Sequence, residues 1–142
     1  MPNQYNLRNR RGPSALAINL NVEPRNTVPL PPAQLQECFR AVGAFLEKRR
    51  PRPEIRDQLD FRADIFGADV IIVEVRPVYN DKKRIVEHGV AKAKWVGTRK
   101  SWRLFWMRAD LKWHSYAPMP EAATVEAVLS EVHRDPHGCF FG

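Results

Sequence analysis

The residues that could do chemistry are densest in a tryptophan-rich segment of the C-terminal half of the chain. There Asp110 and His114 lie four positions apart, and a turn that brought them together would form an acid–base pair. Lys112 or Arg108 would bind a phosphate or a carboxylate, and Tyr116 would donate a proton. Asp110, His114 and Tyr116 therefore predict, as one alternative, a small toxin-like hydrolase that cleaves RNA.

The same residues also fit a purely structural role. An aspartate in a turn commonly accepts a hydrogen bond from its own backbone. His114 and Tyr116 would then be partly buried, with their polar tips satisfied. The chain contains no phosphate-binding glycine loop, dinucleotide fingerprint or nucleophile elbow. The leading interpretation therefore assigns no catalytic residues and no cofactor.

Two helices and a run of strands must position these residues. Apolar residues recur with a helical period between positions 35 and 46, and Pro51 ends that helix. Five strand patterns follow, separated by connections of hairpin length, which indicates antiparallel pairing. A second helix begins near Glu121 and ends at Pro136. The predicted fold class is α+β: an antiparallel five-stranded meander with an N-terminal and a C-terminal helix packed on one sheet face.

The first 32 residues differ in composition from the rest of the chain. They are rich in Pro, Asn and Arg, and neither the helical nor the strand period persists. Because such a segment buries too little apolar surface to offset its ordering entropy, residues 1–32 are predicted to be a flexible basic arm. The arm would either bind phosphates by charge alone or serve only as a solubilising tail. Residues 33–142 are predicted to form a single α+β domain.

Side-chain alternation sorts the predicted strands into two faces. Small Ala91 and Ala93 would let a helix approach closely, so their row is assigned to the helix-covered face. That face is also predicted to carry Leu59, Phe61, Ala63, Ile65, Ile71, Val73, Val75, Trp95, Trp102, Leu104, Trp106 and Trp113. The opposite face would carry Glu74 and nine residues that we predict to bind nucleic acid: Arg62, Arg76, Lys92, Lys94, Arg103, Phe105, Lys112, His114 and Tyr116.

The predicted opposite face mixes cations with aromatic rings. The whole chain has 23 Lys and Arg against 16 Asp and Glu, a formal net charge of +7. Cations that follow phosphates and rings that stack on bases suit single-stranded nucleic acid or RNA. The leading hypothesis is therefore a non-enzymatic module that binds nucleic acid. The alternatives are a solvated face, with Glu74 neutralising Arg76 or Lys92, and an apolar patch of exposed Trp and Phe that binds another protein or forms a homodimer.

Several other classes of protein are excluded. The longest strongly apolar run, residues 70–73, is far shorter than the roughly 20 residues of a membrane helix. Only two cysteines, Cys38 and Cys139, are present, which excludes a disulfide framework and indicates a cytoplasmic protein. Residues 139–141 are predicted to be an apolar latch that packs the C-terminus onto the core. No metal site is predicted, because the spacing is irregular among the candidate ligands His133, Asp135, His137 and Cys139.

Five segments carry a resemblance to a known family. They are residues 53–60, Glu74-Val75-Arg76-Pro77, Ala91-Lys92-Ala93, the tryptophan-rich stretch 102–116, and the C-terminal Gly138-Cys139-Phe140-Phe141-Gly142. On these segments, residues 33–142 resemble a bacterial domain-of-unknown-function family, number 3024. The resemblance implies a stand-alone small domain from a bacterial cytoplasm, and it implies no reaction, cofactor or partner.

Overall fold

The computed structural model describes residues 17–21 and 28–142. Within these ranges neither α-helix is long and apolar enough to cross a membrane. A short 3-10 helix at Pro53–Ile55 connects the first α-helix to the second strand. The strands and α-helices of the described ranges are β1 (Ile18–Asn21), α1 (Pro32–Arg49), β2 (Asp60–Phe66), β3 (Asp69–Val78), β4 (Asp81–Val96), β5 (Ser101–Met107), β6 (Trp113–Ser115), β7 (Glu121–Ala122) and α2 (Val125–Arg134).

The strands form one mixed sheet. Its order is β1-β2-β3-β4-β5-β6, and β7 also pairs with β5. Antiparallel pairing joins β2 through β6, and with the two helices this confirms the predicted α+β class. The predicted five-stranded meander is too simple, because β1 and β7 add strands and β1 runs parallel to β2.

The parallel strand β1 falls inside the segment that composition predicts to be a flexible arm. It pairs with β2 from Ile18↔Ala63 to Asn21↔Phe66. A parallel pair needs a long crossover connection, usually a helix, and α1 provides it between the two strands. Four residues are too few to show a strand period, so the sequence did not predict β1. Residues 1–16 and 22–27 of the predicted arm lie outside the described residues.

Both helices cover the same face of the sheet, as predicted. Each presents one buried stripe to a shared core that includes Phe61, Ala63 and Ile65 of β2. The Thr124 hydroxyl accepts a hydrogen bond from the Ala127 amide at 3.1 Å, which caps the N-terminus of α2. The two stripes consist of Cys38, Val42, Phe45 and Leu46 from α1 and Val125, Val128, Leu129 and Val132 from α2.

The register of β3 differs by one residue from the prediction. Ala63 pairs with Ile72 and Ile65 pairs with Val70, so the even-numbered residues of β3 lie on the helix-covered face. The predicted row Ile71, Val73 and Val75 therefore lies on the opposite face, where Ile71 and Val73 are nevertheless buried. The prediction was wrong because β3 is apolar on both faces, and alternation sets a register only where one face is polar.

The C-terminus is latched onto the core, as predicted. Phe140 is buried 4.9 Å from the Tyr116 ring, and the Phe141 ring lies 5.6 Å from Phe61. The Asp135 carboxylate, at the left-handed C-cap of α2, accepts hydrogen bonds from the backbone amides of Phe140 and Phe141 at 3.0 and 2.8 Å. The Asp135 carboxylate therefore holds the C-terminal latch in place, and both of its oxygens are used for that.

Candidate nucleic-acid interface

Four of the nine predicted contact residues lie together on the face that the helices leave uncovered, which we call the open face. Ile71 pairs with Lys92, which pairs with Phe105, and this sets one row across β3, β4 and β5. The neighbouring row contains Lys94 and Arg103. The register of β5 is therefore as predicted, with Arg103 and Phe105 on the side opposite the helices.

The centre of the open face is a cation in contact with two rings. The Lys92 ammonium lies 4.8 Å from the centroid of Phe105 and 5.4 Å from that of Trp113. The guanidinium of Arg103 lies 5.3 Å from the Phe105 centroid on the same face. We call Lys92, Phe105 and Trp113 the platform. All three residues are half-buried, so each of the two rings keeps part of its surface in solvent.

Trp113 is a platform residue that the sequence analysis placed on the wrong face. The three-residue strand β6 pairs Met107 with Trp113 and Trp106 with His114, which puts Trp113 on the open face. Its ring lies over Gly89, where an added Cβ would meet the ring at 3.0 Å. A glycine inside a strand marks such a close approach, and this signal was present in the sequence.

A β-bulge in β4 brings Gly89 to this position. Ile72 pairs with Ala91, but the next residue, Val73, pairs with Gly89, so Val90 is an extra residue on β4. A bulge of this kind bends the strand and changes which side chains share a face. Lys92 and Gly89 therefore both lie on the open face, although they are three positions apart, a spacing that would put them on opposite faces of a regular strand.

The cations of the open face are only weakly neutralised. Burial lowers the pKa of Lys92, and the Asp69 carboxylate partly opposes that shift. Lys94 donates to Asp69 at 3.3 Å in an exposed pair, and Glu121 is bound at 2.7 Å by Arg99. Exposed pairs of this type are weak, so a phosphate can displace the carboxylates. Lys92, Lys94 and Arg103 are therefore accessible to a phosphate on this face.

Arg62 lies on the open face but is buried in an ion triad. Its guanidinium donates to Asp64 at 2.8 Å and to Glu87 at 3.0 Å, and only about 10% of its side chain is exposed. Burial by itself would lower the pKa of Arg62, but the hydrogen bonds and charges of the two carboxylates outweigh it and raise that pKa. Arg62 is therefore not the exposed cation that the sequence predicts, because its guanidinium is buried and already binds two carboxylates.

Arg76 and Lys112, unlike Arg62, lie outside the open face. Arg76 follows Val70, Ile72 and Glu74 on the other side of β3, and it forms the ion pair with Glu74 that the sequence analysis held as an alternative. Lys112 is exposed in the turn before β6 rather than on a strand row. Neither side chain belongs to the surface for which it was predicted.

His114 and Tyr116 face the helix-covered side. Because Trp106 pairs with His114, both side chains point away from the platform, and Tyr116 follows on the same side. Tyr116 is fully buried, and its hydroxyl donates to Glu131 at 2.8 Å. Burial and the neighbouring Glu131 carboxylate raise the pKa of Tyr116. Tyr116 is therefore not the exposed ring that the sequence predicts, and its hydroxyl is already bound to Glu131.

Asp110 and His114 form the predicted pair. His114 Nε2 lies 2.8 Å from Asp110 Oδ2 in the turn between β5 and β6. Asp110 Oδ1 also accepts the backbone amide of Lys112 at 3.0 Å, which is the turn role that the sequence analysis considered. The hydrogen bond from His114, followed by that from Lys112, lowers the pKa of Asp110. Both side chains of the pair are partly exposed, whereas Tyr116 is fully buried.

Replacing His114 by alanine is expected to raise the pKa of Asp110 towards its ordinary value, because the main group that lowers it is lost. In the intact protein the carboxylate form is stabilised at neutral pH, and this stabilisation is lost as the pH falls through the lowered pKa. A carboxyl NMR titration measures the shift, and His88→Ala, at an exposed histidine on β4, is the control. An Asp110 pKa that is equal in both variants would contradict the assignment.

No group of three or more His, Cys, Asp or Glu side chains within residues 17–21 and 28–142 is arranged to hold a metal ion. Of the four residues that the sequence offered near the C-terminus, Asp135 accepts the amides of the latch. The Cys139 pKa is raised by burial, which disfavours the thiolate that zinc requires.

Comparison with known proteins adds a family and no activity. The family model described as Domain of unknown function (DUF3024) matches residues 30–142. No curated protein and no solved structure matches the chain.

Proposed function

The chain belongs to the DUF3024 family, and from the geometry of its open face we propose that it is a non-enzymatic module that binds single-stranded nucleic acid, RNA above all. The observation that carries the proposal is the platform: Lys92 in contact with Phe105 and Trp113, beside Lys94 and Arg103. Such a module would work in the bacterial cytoplasm, where the sequence analysis placed the protein.

The chemistry of the platform fits a strand whose bases are unpaired. The partly exposed rings of Phe105 and Trp113 offer π-faces on which bases stack without sequence preference. Lys92 contacts both rings, and Lys94 and Arg103 lie in the neighbouring row, where their charges can bind the phosphates of the same strand. Bases within a duplex are already stacked on each other, so ring stacking favours single strands over duplexes.

The competing interpretation is a solvated face whose charges are neutralised internally. Lys94 and Arg99 form ion pairs with Asp69 and Glu121, whereas Lys92 and Arg103 form none among residues 17–21 and 28–142. Asp69 and Glu121 act on Lys92 and Arg103 only from beyond ion-pair distance, and both cations lie against the Phe105 ring. A cation that is not held in an ion pair is more available to a phosphate, which supports the binding proposal over a face neutralised by its own carboxylates.

Fluorescence anisotropy with a labelled oligouridylate of about 16 nucleotides tests the proposal at two or more salt concentrations. If Lys94 and Arg103 contact phosphates, Lys94→Gln with Arg103→Gln should reduce the slope of log affinity against log salt by about 1.4, since each contact in a single strand contributes about 0.7. Arg40→Gln with Lys48→Gln removes the same charge from exposed positions of α1 and is the matched control. No measurable affinity at low salt, or equal slopes in the two variants, would refute the proposal.

A second candidate function is RNA cleavage at the exposed Asp110–His114 pair. The carboxylate orients the imidazole through Nε2, and Nδ1 has no hydrogen-bond partner among the described residues. Nδ1 would take the proton of a 2′-hydroxyl as it attacks the adjacent phosphate and breaks the bond to the 5′ oxygen, which water would protonate. Arg108, 5.5 Å from the Trp106 ring, is the nearby cation for the phosphate. Uncut RNA after prolonged incubation, or equal cleavage by His114→Ala, would eliminate this candidate.

The homodimer alternative has no comparable observation in its favour. The strongly exposed apolar side chains of the described residues are distributed over β1, the segment before α1, α1 itself, the β3–β4 hairpin and the β5–β6 turn. These residues are Leu20, Val28, Phe39, Tyr79, Val86 and Leu111. A dimer mass in light scattering would revive this alternative.

A further inference from the structure

The end of the β3–β4 hairpin projects beyond the rest of the sheet. Val75 is the last residue of β3 that pairs with β2, and Ala91 is the first residue of β4 that pairs with β5. Between them, residues 76–86, which we call the ribbon, pair only with each other among the described residues, for example Arg76↔Val86. A two-stranded ribbon is at best marginally stable in isolation, so its order depends on its continuity with the sheet.

The tip of the ribbon is an exposed aromatic ring beside three exposed cations. Tyr79 is 96% exposed at the turn. Lys82, Lys83 and Arg84 follow it, all exposed and without an ion-pair partner among residues 17–21 and 28–142. Asp81 is the one acid of the ribbon, and its carboxylate already accepts the Lys83 backbone amide at 3.3 Å. The tip therefore repeats the combination of ring and cation found on the platform.

One strand connects the tip to the platform. β4 extends from Asp81 to Val96, so it carries the three ribbon cations at one end and Lys92 and Lys94 at the other. At about 3.3 Å per residue, Lys83 and Lys92 are at most about 30 Å apart, because the bulge at Val90 and the register shift beside Pro77 shorten the strand. A stacked single strand with a rise of about 3.4 Å would span this distance with at most roughly nine nucleotides.

We infer that the ribbon is a second contact for the nucleic acid bound on the platform, in which Tyr79 stacks on a base and Lys82, Lys83 and Arg84 bind phosphates. The inference rests on the proposed function and extends its binding site along β4. Exposed lysines and Pro77 would also protect an open strand edge from aggregation. Edge protection gives no reason for a fully exposed tyrosine at the tip, because an added apolar ring works against it.

Oligouridylates of two lengths test the inference, because only the longer one reaches from platform to tip. With about 16 nucleotides, Tyr79→Ala should weaken binding about fivefold or more, the usual effect of losing one stacked base. Lys82→Gln, Lys83→Gln and Arg84→Gln together should reduce the salt slope by about two. With about 4 nucleotides, the platform alone is filled, and both variants should bind as the wild type does. Tyr79→Phe keeps the ring and should keep the affinity.

The outcomes separate this inference from the proposed function. Wild-type protein that binds neither oligonucleotide would refute both. Long-oligonucleotide binding that needs Lys94 and Arg103 but is unchanged by the ribbon variants would refute the ribbon contact alone. Tighter binding of a DNA duplex, lost in the ribbon variants, would also refute it, because a two-stranded ribbon fits a major groove without stacking on bases. All the replaced side chains are exposed, so the variants should unfold at the wild-type temperature.

Discussion

Replacing Arg62 by alanine is expected to lower the free energy of unfolding by about 3–5 kcal/mol, the usual cost of removing one partner of a buried ion pair. The reason is that Asp64 and Glu87, with about 4% and 5% of their side chains exposed, would lose the guanidinium that both of them bind. Such a loss is a large part of the 5–15 kcal/mol that usually stabilises a domain. Urea denaturation followed by tryptophan fluorescence measures it.

The matched control is another arginine bound to a carboxylate, but at the surface. Arg99 pairs with Glu121 at 2.7 Å with about 62% of its side chain exposed, so Arg99→Ala should cost far less stability than Arg62→Ala. Adding Asp64→Asn and Glu87→Gln to Arg62→Ala should recover part of the lost stability, because fewer buried negative charges then lack the guanidinium that both of them bind. Equal losses for Arg62→Ala and Arg99→Ala would contradict the ion triad.

The triad also changes how binding data must be interpreted. An Arg62 variant that loses RNA affinity would suggest a phosphate contact, as the alternation of Arg62 with apolar residues in β2 suggested from the sequence. A loss of several kcal/mol in stability produces the same result through unfolding. Binding by Arg62→Ala should therefore be compared only where denaturation curves show that the variant is folded, and there we expect affinity close to that of the wild type.

The sequence predicts most accurately the elements that bury one side only. In β4, Ala91 and Ala93 alternate with Lys92 and Lys94, and the structure has these pairs on the predicted faces. The helices also followed from their single buried stripes. In such elements the burial of one face determines the register, and a slip by one residue would expose the whole apolar set.

The sequence fails where both sides of a strand look alike. Residues 70–73 of β3 are all apolar, and all four are buried, so no alternation was available to set the register. In β6, Trp113 and His114 are both amphipathic, and a strand of three residues has too few positions to distinguish its faces. Because the faces of Trp113, His114 and Tyr116 depend on this one register, the error moved three candidate site residues at once.

Contacts between residues that are far apart in the chain could not be predicted from the sequence either. Arg62 and Asp64 look like solvent-facing positions of β2, and they are buried because Glu87 arrives from 25 positions away in β4. The bulge at Val90 is another example, since it decides that Gly89 shares a face with Lys92 and can support Trp113. Both features depend on how β3 and β4 align, which no local pattern reports.

Replacing Phe105 and Trp113 together by alanine is expected to weaken the binding of a 16-nucleotide oligouridylate by about 30-fold or more. Each single replacement should cost about fivefold, since one stacked base contributes roughly 1–3 kcal/mol. Because both rings contact Lys92, the two effects need not add, and the double variant measures their coupling. Phe39→Ala removes a partly exposed ring from α1 and should leave affinity unchanged.

The dependence on salt distinguishes this stacking from charge. Loss of a ring should shift log affinity by the same amount at every salt concentration, whereas loss of Lys94 and Arg103 should change the slope. Gly89→Ala gives a further test, because its Cβ would lie 3.0 Å from the Trp113 ring and displace it without removing any group that touches RNA. It should weaken binding with the slope unchanged. If Trp113→Ala and Gly89→Ala both bind as tightly as the wild type, Trp113 has no part in the interface and its ring only covers the β4 backbone.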